Sequence, residues 1–141
     1  MGIKAIIWDL DGTLIHFNID FMRARNNAIA ILEKYGVSKN LLTHKVSILE
    51  NVAESKKTLR EKYDASRVKE ILKEVDNAVI EVEYEAAIEA SLIGGIDIVL
   101  KFAQENNIMQ AIFTFNTSVN AKISLKKAGI LAFFANTIPT S

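Results

Sequence analysis

Cysteine is absent from the 141-residue sequence. This absence excludes disulfides, thiol catalysis and the zinc sites that cysteine ligands form. An excess of one charge is also absent, because seventeen basic residues balance seventeen acidic ones. No overall field therefore favours nucleic acid or an anionic membrane surface as a partner. The sequence also has no Gly/Ser-rich linker, low-complexity tract or internal repeat, which indicates one domain with at most an insert.

Long apolar runs are missing as well. A transmembrane helix needs roughly 18 consecutive apolar residues, and Lys4, Asp9, Asp97 and Lys101 interrupt the longest candidates. The N-terminus begins with a strand pattern instead of a signal-peptide pattern. We therefore expect a soluble, cytoplasmic protein that binds no membrane. Half of the residues are nevertheless apolar, so the chain can bury a core without disulfides or a structural metal.

Short apolar segments rich in β-favouring residues predict three strands, at Ile3 to Trp8, Ile108 to Phe113 and Ala135 to Ile138. The first two switch from apolar to polar within one residue, at Asp9 and at Thr114. Apolar runs of this length that end so abruptly are typical of buried parallel strands.

Helical periodicity predicts the segments that connect these strands. Apolar residues from Ile96 to Ala103 mark a helix that leads into the second strand. A second helix is predicted between Ser118, a possible N-cap, and Lys127, with Gly129 as its C-terminal stop. Strands that alternate with helices indicate an α/β fold with a parallel sheet.

The middle of the chain shows only helical periodicity. Apolar residues from Phe21 to about Ala90, Leu49 among them, recur at helical spacing, with breaks at Gly36 and near Asp64. Such apolar faces usually pack together, so we interpret them as core. The acidic side chains near the end of this helical segment have no calcium-loop pattern, and we interpret them as a solvated helix face. They are Glu74, Asp76, Glu81, Glu83, Glu85 and Glu89.

Two aspartates follow the first predicted strand. Asp9 and Asp11 flank Leu10 where the strand ends, and open α/β sheets bind ligands just beyond the carboxyl ends of their strands. Residues two apart in an extended segment can direct both carboxylates into one pocket, and Gly12 permits the sharp turn that follows. An Asp-x-Asp-Gly-Thr segment arises by chance in roughly one chain in a thousand of this size. A functional site is therefore a better interpretation than an ordinary surface turn.

The segment Asp9-Leu10-Asp11-Gly12-Thr13-Leu14 resembles the first motif of the haloacid dehalogenase (HAD) superfamily, whose members mostly hydrolyse phosphate esters. Thr114 is similar to the second-motif Ser or Thr, which hydrogen-bonds the transferring phosphoryl group. Asn116 is a candidate to assist it, although many relatives have Asn directly after the Thr and this chain has Phe115 there. The resemblance implies an α/β fold: a truncated Rossmann-like parallel sheet from residues 1–18 and 91–141, with an α-helical cap inserted at residues 19–90.

The resemblance also implies the roles of these residues. Asp9 is expected to act as the nucleophile and Asp11 as general acid and base. Both are expected to bind Mg²⁺, Asp9 through its carboxylate and Asp11 through its backbone carbonyl. Backbone N–H groups around Asp11 and Gly12, with the hydroxyl of Thr114 and the side chain of Asn116, are expected to bind the phosphoryl oxygens of a small phosphorylated substrate.

The sequence departs from the family pattern downstream of Thr114. The superfamily adds a third-motif lysine and a fourth-motif pair of acidic residues, but no Asp or Glu follows Glu105 and no Lys or Arg follows Lys127. Lysines of the predicted second helix offer a replacement for the third-motif lysine, although lysines on an amphipathic helix are usually solvated; they are Lys122, Lys126 and Lys127. We expect weak Mg²⁺ binding from a site without the acidic pair.

Three functional hypotheses follow. The first is a Mg²⁺-dependent phosphohydrolase of low activity, which acts through an aspartyl phosphate. The second is a catalytically inactive HAD-like protein that binds phosphate, a phosphorylated metabolite or a partner protein. The third is an interaction module whose helical block is the working surface. His16 and His44 are isolated and receive no role in any of them.

A homodimer is expected as well. Relatives place the fourth-motif strand beside the first strand, on the side opposite the second strand. Without it, that edge carries the apolar residues Ile3, Ala5 and Ile7 and offers unpaired backbone groups to another chain.

Overall fold

The computed structural model describes residues 2–134. The strands are β1 (Ala5–Trp8), β2 (Ile15–His16), β3 (Ser91–Leu92) and β4 (Met109–Ile112), and the α-helices are α1 (Phe21–Lys34), α2 (Ile48–Lys62), α3 (Ala65–Ile88), α4 (Ile96–Glu105) and α5 (Ser118–Lys127). Strands and helices alternate from β3 to α5, as in an α/β fold, whereas three α-helices in succession lie between β2 and β3. The predicted strand at Ala135 to Ile138 lies outside the described residues.

The chain divides into two compact units. Residues up to Ile19 and from Glu83 onward form the α/β unit, and Asp20–Val82 form the helical unit. Helix α3 runs across the second boundary. The cap boundaries of 19 and 90 that we expected from the sequence stay a prediction.

A parallel pair of strands centres the α/β unit. β1 pairs with β4 in the register Ala5↔Met109 to Trp8↔Ile112. The Trp8 indole Nε1 donates to the Gln110 side chain at 3.0 Å, and Gln110 Nε2 donates to the backbone carbonyl of Leu100 in α4. This buried polar connection satisfies a glutamine inside the unit and fixes α4 against the sheet. The predicted α/β fold with a parallel sheet is confirmed.

An apolar cluster packs below the ends of these strands. Its buried members come from the turn after β1, from β2, from the segment before β3, from α4 and α5, and from the segment after α5; they are Leu10, Leu14, Ile15, Ala90, Leu100, Ala121, Leu125, Ile130 and Phe134. Leu10 and Leu14 thus tie the chain around Asp9 to the core. The antiparallel pair β2–β3, with Ile15 opposite Leu92, joins the same turn to the segment before α4, and the sequence did not predict it.

Helix α5 matches the predicted span with one correction at its start. The N-cap is Thr117 and not Ser118, because the Thr117 hydroxyl accepts from the backbone N–H of Asn120 at 3.2 Å. Either hydroxyl residue is a good cap, so the sequence could not choose between neighbours. Gly129 has φ +78°, the left-handed conformation that ends helices, as predicted.

The helical unit has a core of its own. Its buried residues come from α1, α2 and the first half of α3; they are Ala28, Leu32, Val37, Leu59, Val68, Ile71 and Val75. The interpretation of the apolar faces as core is correct for these residues but wrong for Leu49, which is 80% exposed in the first turn of α2. Phe21, the first residue of α1, is also exposed. Helix ends leave such positions without a neighbour to pack against.

Among residues 2–134, every helix is too short or too polar to cross a lipid bilayer.

The outer edge of β1 has no partner strand within the described residues. Backbone hydrogen bonds to β4 use the carbonyls of Lys4 and Trp8, and the side chain of Ile7 is 74% exposed.

The homodimer stays a prediction: we expect light scattering at micromolar concentration to give twice the chain mass. The substitution Ile7→Lys should then produce monomers, because a charged side chain on an edge strand opposes pairing with another chain. Ile98→Lys, at a similarly exposed site on α4, should leave the dimer intact. A stable, well-folded monomer of the unaltered protein would contradict the prediction.

Candidate active site

The carboxyl ends of β1 and β4 bring four of the candidate residues to one edge of the sheet. Asp9 and Asp11 follow β1, and Thr114 and Asn116 follow β4. Because Trp8 pairs with Ile112 in a parallel sheet, the two strands end side by side. This edge is where open α/β sheets bind ligands.

A tight turn separates the two aspartates from the core. Leu10 is fully buried, and its carbonyl accepts from the N–H groups of Thr13, Leu14 and Ile15 at 3.0 to 3.3 Å. Gly12 has φ +79°, which residues with a side chain rarely adopt. The buried leucine and the glycine therefore fix the backbone on which both carboxylates are mounted.

The backbone N–H of Gly12 is already engaged. It donates to the carbonyl of Ile15 at 2.9 Å. This differs from the expectation that the Gly12 N–H is available to a phosphoryl oxygen: that bond must open first. The hydrogen bond forms because the turn that carries the aspartates brings the N–H of Gly12 next to the carbonyl of Ile15.

Asp9 is exposed and oriented by its own turn. Its Oδ1 accepts from the backbone N–H of Leu10 at 3.0 Å, and its Oδ2 accepts from the Thr13 hydroxyl at 3.2 Å. Both bonds are local, and the side chain remains open to solvent. A carboxylate held in this way is accessible to an incoming electrophile.

Asp11 differs from Asp9 in its surroundings. The side chain is half-buried, and its Oδ1 is shielded from solvent without a hydrogen-bond partner. Burial, and secondarily the negative charge of Asp9, raise the pKa of Asp11, while the nearby Asn116 amide lowers the pKa to a smaller extent. Asp11 therefore holds its proton to a higher pH than an ordinary aspartate does.

The loop after β4 carries the other two candidates. The Thr114 hydroxyl accepts from the backbone N–H of Asn116 at 3.1 Å, which turns the chain. The side chain of Phe115, between these two residues, is 98% exposed. The Asn116 Oδ1 and Nδ2 atoms are buried and have no hydrogen-bond partner, although the amide lies near Asp11. The intervening Phe115 therefore does not remove Asn116 from the site.

Comparison with known families decides the assignment. The family model of haloacid dehalogenase-like hydrolases matches residues 3–141. The chain belongs to this family. The resemblance inferred from Asp9 to Leu14 is confirmed.

The HAD-like hydrolase chain is similar to a crystal structure of a candidate phosphatase from Clostridium difficile, with 18% sequence identity and a TM-score of 0.46. The match covers 94% of this chain and 59% of the other. No curated protein matches the sequence.

One acidic residue of α3 is less exposed than the sequence analysis predicted. Glu83, near the end of α3, is half-buried, and burial followed by the charge of Asp11 raises its pKa. Its interpretation as part of a solvated face is wrong. Its position on the helix could have predicted this burial, because the apolar residues Val82, Ala86 and Ala87 next to it are all buried.

The replacement of the third-motif lysine by an α5 lysine stays an untested alternative to solvated lysines. Lys126 and Lys127 are exposed, and Lys122 is partly exposed. Among residues 2–134, the ion pairs Lys34–Glu74 and Arg67–Glu70 lie in the helical unit and involve neither Asp9 nor Asp11.

Proposed function

We propose that this HAD-like hydrolase chain hydrolyses phosphate monoesters through an aspartyl phosphate formed on Asp9. The observation that carries the proposal is the Asp9-Leu10-Asp11 turn. It presents one exposed, oriented carboxylate and one half-buried carboxyl group with a raised pKa. A carboxyl group with a raised pKa is suited to donate a proton, and an exposed, oriented carboxylate beside it is suited to attack an electrophile.

Each aspartate has one task in the proposed reaction. Asp9 Oδ attacks phosphorus, so that an oxygen–phosphorus bond forms as the ester oxygen–phosphorus bond breaks. Asp11, whose pKa is raised, gives its proton to the departing alcohol oxygen. Water then attacks the phosphorus of the aspartyl phosphate and loses a proton to Asp11, which releases inorganic phosphate and restores both carboxyl groups.

The residues after β4 suit the transferring phosphoryl group. Thr114 accepts a hydrogen bond from Asn116 N–H, so its own hydroxyl proton remains available for donation. The polar atoms of the Asn116 amide are buried, and the amide lies near Asp11 in the loop after β4. We propose that the amide donates a hydrogen bond to a phosphoryl oxygen when substrate is bound.

The site also suits Mg²⁺. The carboxylate of Asp9, the backbone carbonyl of Asp11 and the amide oxygen of Asn116 are the hard oxygen donors that this ion prefers. When bound, Mg²⁺ would supply positive charge that reduces the repulsion between Asp9 and a phosphate dianion. We propose Asp9 and Asp11 as its protein ligands.

The proposal is tested by hydrolysis of p-nitrophenyl phosphate by the purified protein. We expect turnover with MgCl₂ and none with EDTA, because Asp9 and the substrate repel each other without the cation. Turnover that EDTA leaves unchanged would contradict the Mg²⁺ requirement. If no hydrolysis occurs, a phosphate titration followed by calorimetry tests the second hypothesis, a non-catalytic phosphate-binding protein, which the closed Gly12–Ile15 hydrogen bond favours.

A further inference from the structure

Two phenylalanines stand among the candidate phosphoryl-binding residues of the loop after β4. Phe113 precedes Thr114, and Phe115 lies between Thr114 and Asn116. The side chain of Phe113 is 65% exposed and that of Phe115 is almost fully exposed. Their rings contact each other edge to face, with centroids 5.7 Å apart. This aromatic pair is therefore held together at the surface and is not part of the apolar cluster that packs the α/β unit.

The backbone places the aromatic pair at the candidate active site. The N–H of Phe113 donates to the carbonyl of Trp8 at 2.9 Å, and Asp9 is the next residue along the chain. Phe115 directly follows Thr114, and consecutive Cα atoms are about 3.8 Å apart. The two rings therefore extend from the same sheet edge that carries the proposed nucleophile and the proposed phosphoryl-binding hydroxyl.

Exposure of two contacting rings leaves apolar surface that a ligand can cover. A single exposed apolar side chain is ordinary on a protein surface. A pair of aromatic rings beside polar ligand-binding groups is instead the kind of apolar patch that accompanies binding sites. An apolar group that covers the Phe115 ring removes surface from water, and an aromatic group adds a favourable ring contact.

The charge of this segment narrows the chemistry of the ligand. No charged residue occurs in the sequence between Glu105 and Lys122, which includes all of β4 and the loop after it. The loop therefore offers no ion pair to a charged leaving group, such as one with a second phosphate or an amine. An uncharged aromatic group is the best match to two exposed rings.

We propose that Phe115, supported by Phe113, binds the leaving group of the substrate, and that the substrate is a phosphate monoester of an aromatic alcohol. The inference rests on the proposed function, because it places the phosphoryl group at Thr114 and Asn116. Phe115 is a substrate-binding residue in this proposal and takes no part in the transfer of the proton or of the phosphoryl group.

The test compares kcat/KM for 1-naphthyl phosphate with kcat/KM for ethyl phosphate, both with MgCl₂. Aryl and alkyl esters differ in intrinsic reactivity, so the informative quantity is the ratio of the two values in each protein. We expect Phe115→Ala to lower this ratio by about tenfold, chiefly through a higher KM for 1-naphthyl phosphate. Phe115→Tyr keeps an aromatic ring and should retain most of the ratio.

Phe102→Ala is the matched control. Phe102 lies on α4, outside the sheet edge, and is about as exposed as Phe113. Its removal should leave the ratio within a factor of two or so. Thermal unfolding establishes that each variant is folded.

The outcomes separate this inference from the proposed function. If Phe115→Ala leaves the ratio unchanged while both esters are hydrolysed, the inference is wrong and the proposed function stands. Equal losses for both esters would also overturn it, because the ring would then only support the position of Thr114. If the unaltered protein hydrolyses neither ester, the proposed function fails, and calorimetry with 1-naphthyl phosphate and inorganic phosphate tests the inference alone. Equal affinity for these two ligands, or binding of neither, would overturn it.

Discussion

Asparagine in place of Asp9 abolishes the hydrolysis of p-nitrophenyl phosphate, with an expected loss of about a thousandfold or more. The reason is chemical, since the neutral amide has no anionic oxygen to attack phosphorus. The local structure should survive, because an asparagine oxygen can still accept from the N–H of Leu10 or the hydroxyl of Thr13, the groups that Asp9 accepts from. The measurement is the initial rate of nitrophenol release at saturating MgCl₂, with unfolding curves for both proteins.

Asp97→Asn is the matched control for this loss. Asp97 is an exposed aspartate in the first turn of α4, outside the candidate site, and its replacement should leave the rate within a factor of two or so. Equal activity of the Asp9 variant and the unaltered protein would exclude the aspartyl phosphate or reveal a contaminating phosphatase. Equal losses in both variants would show a general effect of charge and not a nucleophile.

Truncation of Leu10 to alanine has the largest effect on stability that we expect from this part of the chain. Leu10 is fully buried among residues from α4, α5 and the segment after α5. Removal of a buried leucine side chain costs about 2 to 5 kcal/mol of unfolding free energy, as lost transfer energy plus a residual cavity. Because the residue lies between Asp9 and Asp11, hydrolysis should also fall at temperatures where the variant is still folded. Urea unfolding and the phosphatase assay measure the two effects.

Ile7→Ala provides the comparison for Leu10→Ala. The change removes an aliphatic side chain of the same size three residues earlier, but Ile7 is largely exposed, so its loss should cost well under 1 kcal/mol or so. A Leu10→Ala variant as stable as Ile7→Ala would contradict the packing described for the turn. Full activity of a destabilised Leu10→Ala variant would show that the aspartates do not depend on this leucine for their position.

Sequence patterns predicted the parts of the fold that depend on local interactions. The switches from apolar to polar residues at Asp9 and Thr114 placed the ends of β1 and β4, since a buried strand must end where charged or hydroxyl groups begin. Gly129 stopped α5 for a backbone reason that is visible in the residue type alone. The Asp9 to Leu14 motif gave the family.

Features that depend on tertiary neighbours could not be predicted in the same way. Leu49 has the periodicity of a core residue, but its side chain is exposed on the first turn of α2. Glu83 has the charge of a surface residue, and only the packing of Val82 and Ala86 carries it inward. The pairing of β2 with β3 joins segments of two residues each, too short to show alternation.

The hydrogen bond between Trp8 and Gln110 joins residues that are 102 positions apart. Pairing β1 with β4 therefore closes a long loop, whose entropic cost grows only with the logarithm of its length. Doubling the intervening segment would cost only about 0.6 kcal/mol more. The sheet can consequently accept helical segments of very different length between its strands, and recognition elements can be exchanged there while Asp9 and Thr114 stay at the same edge. The same topology places this pairing among the slower steps of folding, because distant contacts form late.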